Sequence, residues 1–225
     1  MSDTRRSTTS PFGTDDALAM TSRRAKTPDL DTIVKVAAKL FHLHGYQNTT
    51  MQLIASELGI AKPTLYVYAK SKSFLLGQVF QRILRRADVV VSEAVSQTDP
   101  LDGVRSLIDG QLRLSMMYRD YYGVIYGDQR ELPEELDRAY KAWMKSFVAK
   151  VSDLIERGQR MGAMRQDVAP VVAAQAIIGI TGWSARWLRP RSGLTLEAAS
   201  QQITALVLGG IQAGGPDRPA TAPAT

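Results

Sequence analysis

The 225-residue chain contains no cysteine, which removes disulfide frameworks, thiolate metal sites and cysteine nucleophiles together. It holds only two histidines, His42 and His44. At i, i+2 spacing on a helix they point to different faces, so they cannot form the adjacent pair that a helical metal site uses. No metal and no cofactor is expected. No apolar run reaches the roughly 18 to 20 residues needed to span a bilayer: the longest candidate, Val168 to Trp187, is interrupted by Gln175, Thr181 and Arg186. A basic-then-apolar leader is missing at the N-terminus, so the expectation is a cytoplasmic protein with no membrane partner. Nucleophile elbow, phosphate loop and dinucleotide fingerprint are absent too. Glu134 and Glu135 are neighbours in sequence, but consecutive positions diverge on a helix. Nothing here points to an enzyme.

What is present is charge of one sign at one end. Residues 1–28 hold five Lys/Arg against three Asp/Glu, residues 29–90 hold eight against four, and residues 91–225 hold fifteen of each. All of the net +6 therefore lies in the first part of the chain. A small basic unit joined to a neutral one fits a polyanion partner for the first unit only; an uneven scatter of solvated charges would give the same count.

Strand-like alternation persists nowhere, and nearly every segment between residues 27 and 212 has helical periodicity. Residues 1–26, rich in Ser, Thr, Asp and Arg, and residues 213–225, rich in Pro, Ala and Thr, are expected to be unstructured. The first helix is expected to open at Thr27-Pro28-Asp29, with Thr27 as cap, and to carry Ile33, Ala37, Leu40 and Phe41 as one apolar stripe ended by Gly45. A second follows from about Thr50 to Leu58, with Leu53, Ile54 and Leu58 inward. A third runs from about Ala61 to Tyr68, and a fourth from near Ser71 to about Val91. Further helices are expected over Leu101–Tyr118, Tyr121–Tyr126, Pro133–Arg160, Val168–Leu188 and Leu194–Gly210, punctuated by Pro and Gly. The expected fold is all-α, about nine helices.

Helix two, the turn at Gly59-Ile60 and helix three make a helix-turn-helix. Ile54, Leu58, Ile60 and Leu65 form its small core, which leaves Lys62, Thr64, Tyr66 and Tyr68 for the outer surface. The second helix of such a unit lies in the major groove of double-stranded DNA with its N-terminal residues at base edges. A lysine there can donate to guanine, and a threonine can bond a base or touch a thymine methyl. Tyrosine hydroxyls can hold phosphates. Pro63, in the first turn, removes no needed donor.

The same stretch carries many fixed spacings together: Phe41-x-x-x-Gly45-Tyr46-x-x-Thr49-Thr50, Ile54-Ala55-x-x-Leu58-Gly59-Ile60, Thr64-Leu65-Tyr66-x-Tyr68 and Ser71-Lys72. It resembles the TetR-family signature over about residues 30–80. The resemblance implies a three-helix DNA-reading domain, about residues 27–72, joined through helix four to a larger helical domain, residues 73–212, that binds ligand and forms a homodimer. It implies phosphate contacts for Thr50, Tyr66, Tyr68 and Lys72 and base contacts for Lys62, Pro63 and Thr64. Which of Thr49 and Thr50 caps helix two is left open. Ala61 stands where the family usually has a Ser cap, Ala69 where an aromatic is usual, and Ser73 where Glu is usual. Arg23, Arg24 and Lys26 are either a minor-groove arm or a flexible basic tail.

In the larger domain, Ala198, Ile203, Leu206, Val207, Leu208 and Ile211 give the last helix apolar surface nearly all round, which suits an intermolecular four-helix bundle or burial within one chain. Candidate pocket walls are Leu112, Met116, Met117, Tyr121, Tyr122, Ile125, Trp143, Phe147, Ile177 and Trp183, adaptable side chains for a bulky apolar effector. The run from Trp183 to Pro190, with Leu194-Thr195 and Ala205 to Ile211, is similar to the C-terminal end of a TetR subgroup that senses acyl-CoA thioesters. That similarity implies an apolar cavity for the acyl part and Arg186 or Arg189 near its mouth for phosphates; Gly179 stands where some relatives have arginine. The expected function is a transcriptional regulator, in the first instance a repressor, that binds a palindromic operator and is released by a small molecule. The alternatives are a nonspecific, nucleoid-type DNA-binding protein and an activator of the same fold.

Overall fold

The computed structural model describes residues 28–127, 133–188 and 193–214. Both expected tails, apart from residues 213 and 214, lie outside these, as do Arg23, Arg24, Lys26, Thr27 and Arg189. The described residues form nine helices and no strand: α1 (Leu30–His44), α2 (Met51–Glu57), α3 (Lys62–Tyr68), α4 (Lys72–Val95), α5 (Pro100–Met117), α6 (Arg119–Ile125), α7 (Glu134–Arg160), α8 (Pro170–Trp187) and α9 (Leu196–Ile211). The single β-type contact joins Met164 to Gln212 and pins the end of α9 beside the α7–α8 turn.

Most starts are set by a side chain that satisfies an otherwise orphaned amide. Asp29 accepts from Thr32 N at 2.8 Å, Thr50 from Leu53 N at 3.1 Å, Ser71 from Phe74 N at 3.0 Å and Thr195 from Ala198 N at 3.1 Å. Pro100 and Pro170 open α5 and α8, where a missing N–H does no harm. The cap of α1 is thus Asp29, two residues beyond the expected Thr27. A side-chain carboxylate one residue before the helix is the better acceptor for the first free amides.

Helix α1 buries the expected stripe of Ile33, Ala37, Leu40 and Phe41 together with Val34 and Ala38. It packs on α2, α4 and α6. Helix α4 has 24 residues and is therefore about 36 Å long. Its buried positions run from Leu75 and Leu76 near α1 to Val91 and Ala94 against α5 and α7. The apolar core continues without a break from Ile33 through Leu76 and Ile83 to Ile155 and Ile177. Head and body share one core. Ion pairs pin the head locally: Arg82 reaches Asp31 at 2.5 Å and Lys39 reaches Glu57 at 2.8 Å.

Candidate functional site

The head is shaped by the turn between α2 and α3. Ile60 N bonds Ala55 O at 3.0 Å and Gly59 N bonds Ser56 O at 3.1 Å. Gly59 takes φ of 67°, a left-handed conformation that a side chain would strain. Ile54 and Leu65 are fully buried in the angle between the helices, with Leu58 and Ile60 half-buried beside them. Leu53, expected inward, is 36% exposed, and Ala55, two residues on, is fully buried instead.

Thr50 is the residue that caps α2 and stays exposed. Thr49 is fully buried, its hydroxyl donating to Gly45 O at 2.8 Å and Leu40 O at 3.2 Å. The two threonines divide their work: Thr49 closes the α1–α2 loop from within, and Thr50 presents a hydroxyl outward.

On α3, Lys62 and Pro63 are exposed, Thr64 is half-buried, Tyr66 is 44% exposed and Tyr68 is half-buried against the core. Ala61 makes no side-chain cap bond. The outer face also carries Val67, 81% exposed, which the sequence reading passed over because it sought ammonium and hydroxyl donors. Its signal was positional: Lys62, Pro63, Tyr66 and Val67 share one face at i, i+1, i+4, i+5.

Lys72, expected as a phosphate contact, is anchored within the head. Its Nζ donates to Tyr46 O at 2.7 Å and Gln47 O at 3.1 Å, and lies 4.3 Å from the Tyr46 ring centroid. Carbonyl oxygens of the α1–α2 loop draw in the ammonium. It bolts the start of α4 to that loop.

The larger part holds a narrow apolar cavity of about 30 Å³, hardly more than room for a water molecule as it stands, between α4, α5, α6, α7 and α8. Tyr122, Trp143 and Phe147 line it as expected, with Ile83, Leu84, Gln111, Tyr126, Tyr140 and Thr181. Burial pushes the Tyr122 and Tyr140 hydroxyls well above the ordinary tyrosine range and raises that of Tyr126, so they stay protonated donors. Tyr122 donates to Gln111 Oε1 at 3.0 Å, and Trp143 Nε1 donates to Asp88 at 3.0 Å. Tyr126 lies against the bare backbone of Gly182, where a methyl group would collide with its hydroxyl.

Tyr122 and Tyr126 also line a second, open cleft of about 570 Å³, walled by His42 of α1, Arg119 of α6 and Arg186 of α8. Arg186 lies 4.2 Å over the Trp183 ring and donates to Tyr126 O, and Arg119 donates to Leu188 O. An apolar slot thus opens beside a basic one. Six of the ten expected wall residues do not line the apolar cavity: Leu112, Met116, Met117, Tyr121, Ile177 and Trp183. Met117 is 74% exposed and, with Tyr121, borders a separate surface hollow. Trp183 is 51% exposed on the outside of α8. Helix phase separates Met117, Tyr121 and Trp183 from it, since each is turned away from the cavity. Tyr126, Tyr140 and Gln111 were missed, being contributed by three separate helices with no local motif.

A second surface is apolar. Val172, Ala176, Gly179, Trp183 and Trp187 form an exposed stripe along α8, beside Ala205, Leu206, Gly209 and Gly210 of α9. Leu206 is 70% exposed, and nothing lies within 4 Å of the Cβ directions of Gly179, Gly209 and Gly210. Among the described residues no helix is long and apolar enough to cross a membrane, and no group of His, Asp and Glu is placed to hold a metal.

Residues 33–79 match the family described as bacterial regulatory proteins, tetR family, and residues 97–211 match the tetracyclin repressor-like C-terminal domain. The HTH-type transcriptional repressor KstR2 of Mycolicibacterium smegmatis is 28% identical over 191 residues, covering 80% of this chain and 89% of that protein. The fold is shared with the ketosteroid transcriptional regulator KstR2 of Mycobacterium tuberculosis, at a TM-score of 0.76 and 24% identity over 81% of this chain and 94% of the other. It is shared also with AibR, solved in complex with isovaleryl coenzyme A and operator DNA, at a TM-score of 0.71 and 22% identity over 79% and 96%.

Proposed function

The chain belongs to the TetR family of bacterial transcriptional regulators, and from that premise we propose that it is a dimeric repressor that reads a palindromic operator through α3 and is released by an apolar, acyl-CoA-like effector. The observation that carries this reading is the double membership of α4. Its start is fastened in the head by Lys72, Leu75 and Leu76, while Ile83, Leu84 and Ala87, two to three turns later, wall the cavity. A ligand that widens the cavity presses on the rod that positions the head.

In this reading Lys62, Pro63, Thr64 and Val67 face base edges, and Thr50, Tyr66 and Tyr68 hold phosphates. The α8–α9 stripe covers its counterpart on a second copy, the self-complementary arrangement of a two-fold dimer. The two α3 helices then enter successive major grooves about 34 Å apart. Effector chemistry follows from the paired slots: the cavity takes the hydrocarbon, and His42, Arg119 and Arg186 face the phosphates. AibR, of the same fold, was solved with an acyl-CoA and operator DNA, which supports this class of effector.

Titration of the purified protein with its own upstream DNA, against scrambled DNA at about 150 mM salt, tests the reading. A preference of about 10³-fold or more is expected. An acyl-CoA thioester that fits is expected to lower operator affinity by about 5- to 150-fold, with DNA lowering ligand affinity by the same factor. Equal, salt-sensitive binding to both DNAs would favour a nonspecific clamp. Operator and ligand binding without antagonism would remove the release mechanism.

A further inference from the structure

Three buried polar atoms among the described residues have no hydrogen-bond partner: Gln111 Nε2, Ser152 Oγ and Arg157 Nε. Of these residues only Gln111 lines the cavity. It is 6% exposed and sits on α5, with its amide oxygen engaged by the Tyr122 hydroxyl at 3.0 Å. That bond fixes which way the amide faces. With the hydroxyl donating to the amide oxygen, the NH₂ is turned to the other side.

The remaining polar groups of the wall are largely accounted for. Trp143 Nε1 is spent on Asp88 and the Thr181 hydroxyl on Ile177 O at 2.8 Å. Tyr126 and Tyr140 also line it, and most of the rest is apolar, Ile83, Leu84, Phe147 and Ile178 among it. A buried amide donor left without an acceptor is unfavourable in such a place, and a site built around one discriminates strongly between ligands that supply the missing partner and those that do not.

We propose that the cavity selects an apolar ligand bearing a carbonyl oxygen, which accepts from Gln111 Nε2 while Tyr122 holds the amide in place. This rests on the reading of the cavity as the effector site. Gln111 is the specificity-determining residue, separating carbonyl-bearing hydrocarbons from plain ones. Two chemical sources carry such an oxygen, a thioester at the head of an acyl chain and a ketone on the hydrocarbon itself, and matched probes separate them.

Decanoyl-CoA against S-decyl-CoA differs only in the thioester carbonyl, and 1-decalone against decalin only in a ring ketone. Calorimetry on the full-length protein is expected to show one carbonyl member binding at least about tenfold tighter than its partner. The pair that shows the preference identifies the source. In Gln111→Leu the preference is expected to vanish because the plain member gains what the carbonyl member loses. Wild-type protein supplies a second readout independent of any variant: the carbonyl stretch of the preferred probe is expected to fall on binding relative to its position in cyclohexane, as for an accepted hydrogen bond. Equal affinities within both pairs, or a preference that survives in a folded Gln111→Leu, would overturn the assignment of Gln111. If none of the four probes binds wild type, the cavity is not an effector site and the inference falls with it.

Discussion

Two lysines ten residues apart show how differently one residue type is used. Lys62 ends in solvent at the first position of α3, whereas Lys72 is drawn onto the Tyr46 and Gln47 carbonyls. Lys72→Ala is therefore expected to lower the thermal midpoint by a few degrees, from loss of about 1–2 kcal/mol of charge-assisted bonding and ring contact, before any effect on DNA. A calorimetric scan unchanged from wild type would contradict the bolt. Lys62→Ala is expected to leave the midpoint alone and to relax preference at one operator position, at about 1–3 kcal/mol. Val67→Ala, removing an apolar group that is 81% exposed, is expected to cost about 1 kcal/mol of operator affinity with no loss of stability. Competition titrations with singly substituted operators measure both; uniform weakening on every sequence would assign these residues to phosphate or to nothing.

At the scale of helices, the all-α class and the starts and stops were legible because they are local: apolar period, caps, and Pro or Gly at the ends. Contacts between distant segments were not. The Lys72 bond to Tyr46 spans 26 positions, and the cavity draws one or a few residues from each of five helices, so no short motif announces it. The head showed the same division, for its core of Ile54 and Leu65 was readable while the inward turn of Ala55 in place of Leu53 depended on helix phase. Helix α6 is the element whose role was least apparent. It is only seven residues long, yet it packs on α1, α4 and α8. Gly123 lies so close to His42 that any side chain would collide with the imidazole. His42 is exposed and can swing aside for a methyl group, so a larger wedge is the informative one. Gly123→Leu is expected to force α6 from α1 and to weaken operator binding about 5- to 150-fold without effector, with helicity unchanged by circular dichroism. Wild-type operator affinity in that variant would remove the α1–α6 contact from the transmission path.

At the scale of the whole molecule, the apolar stripe on α8 and α9 is too continuous for a surface left in water. On the proposed dimer and palindromic operator, Leu206→Glu places a charge in its middle and is expected to give a monomer in sedimentation at micromolar concentration, with operator affinity falling at the same time because one head would grip only half of the site. A variant that remains a dimer would locate the interface elsewhere. The unbroken core from α1 to α9 has another consequence, for how such a molecule can be altered. Ile33, Val34 and Phe41 are covered partly by α4 and α6, so the reading head is not a detachable cassette. Cut free or grafted onto a foreign body, it would expose these side chains and lose its shape. If α3 reads the operator as proposed, new operator preferences would arise by substitution on its outer face, one position at a time, while the rest of the chain stays its own.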